Sequence, residues 1–87
     1  MVTTTWRKQL TELFKKTGDT FENLVITLTD YELDEEFDDG FGRPEGYPFT
    51  AWSDKYVYFP ACYDGGEWVA YVSRNPDGEP TGHIGGW

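Results

Sequence analysis

The chain of 87 residues predicts an α+β domain, one N-terminal helix packed on a small antiparallel sheet of four or five strands. Three observations predict it. An amphipathic repeat is confined to the first 18 residues, short β-branched and aromatic runs fill most of the remainder, and Gly, Pro, Asn and Asp punctuate those runs. A chain of this length supports one core rather than two, so residues 1–87 are read as a single domain.

The helix comes first. In "TTTWRKQLTELFKKTG", Trp6, Leu10, Leu13 and Phe14 recur at helical spacing, while Arg7, Lys8, Glu12, Lys15 and Lys16 mostly face water. One of the threonines at 3–5 caps the N-terminus, Lys15 and Lys16 suit the negative end of the dipole, and Gly18 suits the C′ position, so the helix is expected over about 4–17. The β-branched run "NLVITLT" predicts a strand near 24–29. In "TDYE", Thr29 or Asp30 can cap a single helical turn, the Thr being followed three residues later by Glu. The acidic stretch that follows is compatible with strand, helix or loop.

Residues 40–48, "GFGRPEGYP", hold three Gly and two Pro and are read as a loop. "FTAW" and "KYVYFP" are strands joined tightly at Ser53-Asp54. Asp64-Gly65-Gly66 makes a second turn into a strand near 67–73, which "NPDGEP" closes. The tail, "TGHIGGW", is Gly-rich and read as loosely held, with docking of Ile84 and Trp87 onto the domain as the alternative.

Charge narrows the function. Sixteen acidic against seven basic residues give a net charge of −9, which disfavours direct nucleic-acid and anionic-membrane binding and favours cationic surfaces. The distribution is uneven: Arg7, Lys8, Lys15 and Lys16 against Glu12 leave residues 1–18 at +3, and the rest carries −12. Four Trp, six Tyr and six Phe separate the chain from disordered sequences of similar acidity. A single cysteine, Cys62, excludes an intramolecular disulfide framework, and no apolar run is long enough for a signal-peptide core or a membrane span. A soluble cytoplasmic protein is expected.

No catalytic pattern stands out. With Gly40 at position 6 of an EF-hand loop, Glu35 falls at position 1 but Phe37 at position 3, so the calcium register fails. The carboxylates lie in a polar stretch without the apolar surroundings that separate an acid from a base. Nucleophilic catalysis would require Cys62 and His83 to meet. Zinc spacing, phosphate-binding glycine motifs and dinucleotide fingerprints are lacking, and the expectation is a non-enzymatic protein with no cofactor or metal.

The binding candidate is "YELDEEFDDGFG", residues 31–42, with carboxylates at Glu32, Asp34, Glu35, Glu36, Asp38 and Asp39. Extended backbone would align Glu32, Asp34, Glu36 and Asp38 about 6.8 Å apart on one face. A helical turn would gather Glu32, Glu35, Glu36 and Asp39. Either row resembles the regularly spaced phosphates of duplex DNA and would occupy a basic groove, with Phe37 or Phe41 as apolar anchors. A solvating acidic surface is the plain alternative. Another is a general protein-interaction module, in which Tyr56, Tyr58, Phe59, Trp68 and Tyr71 build the sheet and its uncovered face presents aromatics to a partner.

The segment "PFTAWSDKYVYFPACYDGGEWVAYVSRNP", residues 48–76, about a third of the chain, resembles a pattern in small prophage proteins. Size, acidity, one helix and a small sheet are similar to phage- and mobile-element-encoded inhibitors of bacterial defence, especially anti-CRISPR proteins and other DNA mimics. That resemblance implies a partner in the host cytoplasm, a CRISPR effector or another basic nucleic-acid-binding protein whose target recognition is obstructed. Such an effector holds nucleic acid in a positively charged channel and reads a short motif with arginines, which carboxylates pair with bidentately.

Overall fold

The computed structural model describes residues 3–38, 46–63 and 66–84. After a two-residue strand β1, Thr3–Thr4, the backbone turns at Thr5, whose side chain accepts the Lys8 amide at 3.0 Å and starts helix α1, Trp6–Thr17. The helix stops at Gly18. Its φ of 80° is left-handed, and its amide donates to the Phe14 carbonyl at 2.8 Å.

A 3-10 turn over Phe21–Asn23 leads to β2, Val25–Ile26. This strand is shorter than the expected 24–29, because Leu28 turns into the core and Thr29 starts the next helix. That helix, α2, covers Asp30–Leu33, and β3 follows at Phe37–Asp38. Strands β4, Ala51–Trp52, β5, Tyr56–Tyr63, and β6, Gly66–Ser73, complete the chain order.

Where one sheet of four or five strands was expected, six strands among the described residues form two antiparallel sheets: a β1–β3 ribbon and a four-stranded sheet in the order β2–β4–β5–β6. The expected helix-on-sheet arrangement holds for the larger sheet. The ribbon is the addition. Of the expected 40–48 loop, residues 46–48 carry neither helix nor strand and 40–45 lie outside the described residues, as do Asp64, Gly65 and Trp87. Ile84 is exposed in the C-terminal segment.

Register decides the layers. Directly opposed residues of an antiparallel pair share a face, so Ile26, Ala51, Tyr58 and Tyr71 lie on one side of the sheet, with Val69 opposite Pro60. Helix α1 covers this side. Trp6 and Leu10 are fully buried against Phe37, Phe49, Ala51, Tyr58 and Val69, with Leu13 and Phe14 at the margin. The Trp6 ring lies 4.6 Å from Phe37 and 5.1 Å from Phe49 between centroids, and its Nε1–H donates to the Tyr47 carbonyl at 2.9 Å.

A polar cluster joins the end of α1 to the β4–β5 connection. The Tyr58 hydroxyl donates to Asp19 Oδ2 at 2.5 Å and lies 2.9 Å from Thr17 Oγ1; Ser53 Oγ also donates to Asp19, at 2.7 Å. Ser53 Oγ in turn accepts the amides of Lys55 and Tyr56, both at 3.1 Å, which closes the tight turn expected at Ser53-Asp54. Burial, reinforced by Asp19, raises the Tyr58 pKa above the ordinary phenol value. Among the described residues no helix is long and apolar enough to cross a membrane.

Candidate functional site: an acidic knob at α2 and β3

Residues 30–38 fold as a projection held at two points. Leu33 and Phe37 are both buried, so the three residues between them, Asp34, Glu35 and Glu36, are forced outward. At the start of the segment a capping box forms: Thr29 Oγ1 accepts the Glu32 amide at 3.1 Å, and Glu32 Oε1 accepts the Thr29 amide at 2.9 Å. At its end, β3 pairs with β1, Thr4 opposite Phe37 and Thr3 opposite Asp38.

Arg7 organises the inner side of the knob. From α1 its Nε donates to Asp34 Oδ1 at 2.6 Å, and its terminal nitrogen reaches Asp34 Oδ2 and Asp30 Oδ1, each at 3.3 Å. The guanidinium also sits 5.3 Å from the centroid of the Phe21 ring. The hydrogen bond to Asp34 is the main reason the Arg7 pKa lies above its ordinary value. Asp30 nevertheless keeps 96% of its side chain exposed and Asp34 58%.

The predicted site residues therefore separate. Glu35 and Glu36 are exposed, with Thr3 Oγ1 reaching Glu36 Oε1 at 3.5 Å; Asp34 is shared with Arg7; Glu32 turns back into its cap; and Asp38 is half-buried in β3. Neither uniform row forms, because 30–33 is helical, 34–36 turns, and 37–38 is extended. Phe37 is no surface anchor. It is 7% exposed and packed at a tilt against Trp6, since the β1–β3 pairing turns it into the core. Asp39 and Phe41 lie outside the described residues.

Two residues of the knob escaped the sequence reading. Asp30 joins the acids through its position at the start of α2, and Tyr31 stands 75% exposed among them. The capping box carried the signal for both. A helix starting at Asp30 with Leu33 turned to the core leaves Tyr31 on the solvent side. In this segment Asp30 and Asp34 share the Arg7 guanidinium, Glu32 turns into its cap, and Glu35 and Glu36 face solvent.

No family model, curated protein or solved structure matches the chain. The site is therefore read from its own chemistry. Among the described residues no group of three or more His, Cys, Asp or Glu side chains is placed to hold a metal ion. Cys62 is exposed near the end of β5 and His83 is exposed in the C-terminal segment. The arrangement can present dense negative charge and one aromatic ring to a cationic surface.

Proposed function

We propose that the protein is a non-enzymatic inhibitor whose acidic knob docks on the basic nucleic-acid-binding surface of another protein, of the CRISPR-effector kind, and obstructs DNA recognition by charge competition. One observation carries the reading: Asp34, Glu35 and Glu36 project outward from a segment pinned at Leu33 and Phe37, with Asp30 96% exposed beside them. Pinning matters because charges held in place lose little entropy on docking. Long-range attraction then accelerates encounter, and a central aromatic supplies short-range affinity. Tyr31 takes the anchor role that Phe37 is too buried to fill.

The test uses guide-loaded RNA-guided DNA-targeting effectors and labelled target duplex. The protein is expected to prevent duplex capture by one of them, with inhibition weakening roughly tenfold or more between about 50 and about 200 mM salt. Combining Tyr31→Ala with Asp34→Asn, Glu35→Gln and Glu36→Gln should abolish it while the circular dichroism spectrum is retained. Inhibition that persists in that folded variant overturns the assignment of the knob, and failure against every effector overturns the assignment of the partner.

A further inference from the structure

The far edge of β6 carries backbone groups that the sheet does not use. β6 ends the order β2–β4–β5–β6, and no strand among the described residues pairs its outer side. One bond fixes the phase of its ladder: the Arg74 amide donates to the Lys55 carbonyl at 2.8 Å, so Val72, Ala70 and Trp68, at every second residue back along β6, exchange hydrogen bonds with β5. Glu67, Val69 and Tyr71 therefore direct their N–H and C=O groups outward. Gln9 confirms the direction, since its Nε2 donates from α1 to the Glu67 carbonyl at 3.4 Å. The outward groups of Val69 and Tyr71 have no such partner among the described residues.

Beside this edge lies a cavity of about 300 Å³. One wall is a stripe of α1, Gln9, Glu12, Leu13 and Lys16 at helical spacing, and the other is Trp68 and Val69. Consecutive strand residues point to opposite faces, so a hollow lined by both lies at the strand's margin rather than on either face. β5 occupies one margin of β6, and the hollow opens on the other. It is a slot between a helix and a free strand edge.

We infer that this slot receives an extended, acidic segment of a partner protein, which adds to the sheet as a strand alongside β6. The inference is independent of the acidic-knob reading. Backbone chemistry selects the form of the occupant: donors and acceptors that recur at every second residue, about 6.8 Å apart, match another extended chain and not a helix. The walls select its side chains. Leu13, Val69 and the Trp68 ring are apolar, Glu12 is engaged by Lys15 at 3.3 Å, and Lys16 is exposed with no ion pair among the described residues. The complement is a strand with an apolar residue and, two positions along on the same face, an acidic one. The chain's own β6 does not offer that pattern, because its single carboxylate, Glu67, is buried and accepts the Gly46 amide at 3.0 Å.

Nuclear magnetic resonance titration of the full chain tests this, with an end-capped heptapeptide in which threonine alternates with valine, glutamate and valine. The Val69 and Tyr71 amides are expected to shift and to exchange more slowly as the peptide is added. Of the two alternate sets of peptide amides, N-methylation of the set that faces β6 should weaken binding at least roughly tenfold, and N-methylation of the other should leave it unchanged. Lys16→Glu reverses the charge of an exposed side chain, so affinity for the glutamate peptide should fall roughly tenfold while that for its lysine analogue rises. The amide spectrum of the variant reports that it is folded. Absence of shifts at Val69 and Tyr71 up to millimolar peptide overturns the inference, as does equal sensitivity to both N-methylated sets or an affinity indifferent to Lys16→Glu. The same shifts produced by protein concentration alone overturn it too, because a second copy would then be the occupant. The variant combining Tyr31→Ala, Asp34→Asn, Glu35→Gln and Glu36→Gln should bind the peptide as the wild type does, so the slot and the acidic knob can fail separately.

Discussion

Gly46 lies so close to the Trp6 indole that a Cβ built there would be 2.5 Å from Cζ2 and 2.8 Å from Cε2. The ring is fully buried and has no room to withdraw. Gly46→Ala is therefore expected to cost about 1–3 kcal/mol through overpacking, measured by chemical denaturation. An equal or higher denaturation midpoint would mean that the backbone at Gly46 yields instead. Tyr58 gives a second residue-scale prediction. Tyr58→Phe leaves Asp19 and Thr17 short of a partner, an expected loss of about 1–2 kcal/mol. Because the folded pKa of Tyr58 is raised, its contribution is intact below the unfolded value of about 10 and declines as pH rises beyond it toward the folded value. The wild-type melting temperature should thus fall above about pH 10 more steeply than that of the Phe variant. Parallel declines would show that Tyr58 titrates like an exposed phenol.

At the scale of elements, two devices hold the knob to the domain: the Thr29 capping box and the Arg7 bridge from α1. Thr29→Ala removes the side-chain half of the box, with an expected cost of about 1 kcal/mol and faster amide exchange at Glu32 and Leu33. Unchanged exchange there would show that Leu33 and Phe37 alone order the segment. Arg7→Gln has a different consequence. Exposed ion pairs contribute little to stability, so melting should change only slightly, while Asp30 and Asp34 lose the positive charge they share. Inhibition of a basic partner is then expected to strengthen at low salt. Weakened inhibition would instead place Arg7 within the interface. Both devices bear on how the sequence reads. The capping box is legible as "TDYE" because its atoms lie within four residues. The bridge is not, since Arg7 and Asp34 are 27 positions apart and Arg7 sits on the face of α1 that the helical period assigns to water.

For the whole molecule, net charge is the controlling quantity. Like charges at −9 oppose compaction, and added salt screens them, so melting should rise by a few degrees from low to moderate ionic strength. A fall would mean that the pairs at Arg7 and Lys15 outweigh the general repulsion. Part of that charge is concentrated where acids project at α2 and β3.

Local chemistry by itself determined the helix, its caps, the capping box and the paired strands around Ser53-Asp54, because each depends on contacts among near neighbours or on a period repeated over several residues. Tertiary structure alone decided the β1–β3 ribbon, whose two-residue strands are too short to show any period, and the burial of Phe37 that the ribbon imposes. It also decided which carboxylates remain outward. The sequence counts charges, but whether a carboxylate meets solvent, its own backbone or a distant arginine depends on where chain closure brings its surroundings.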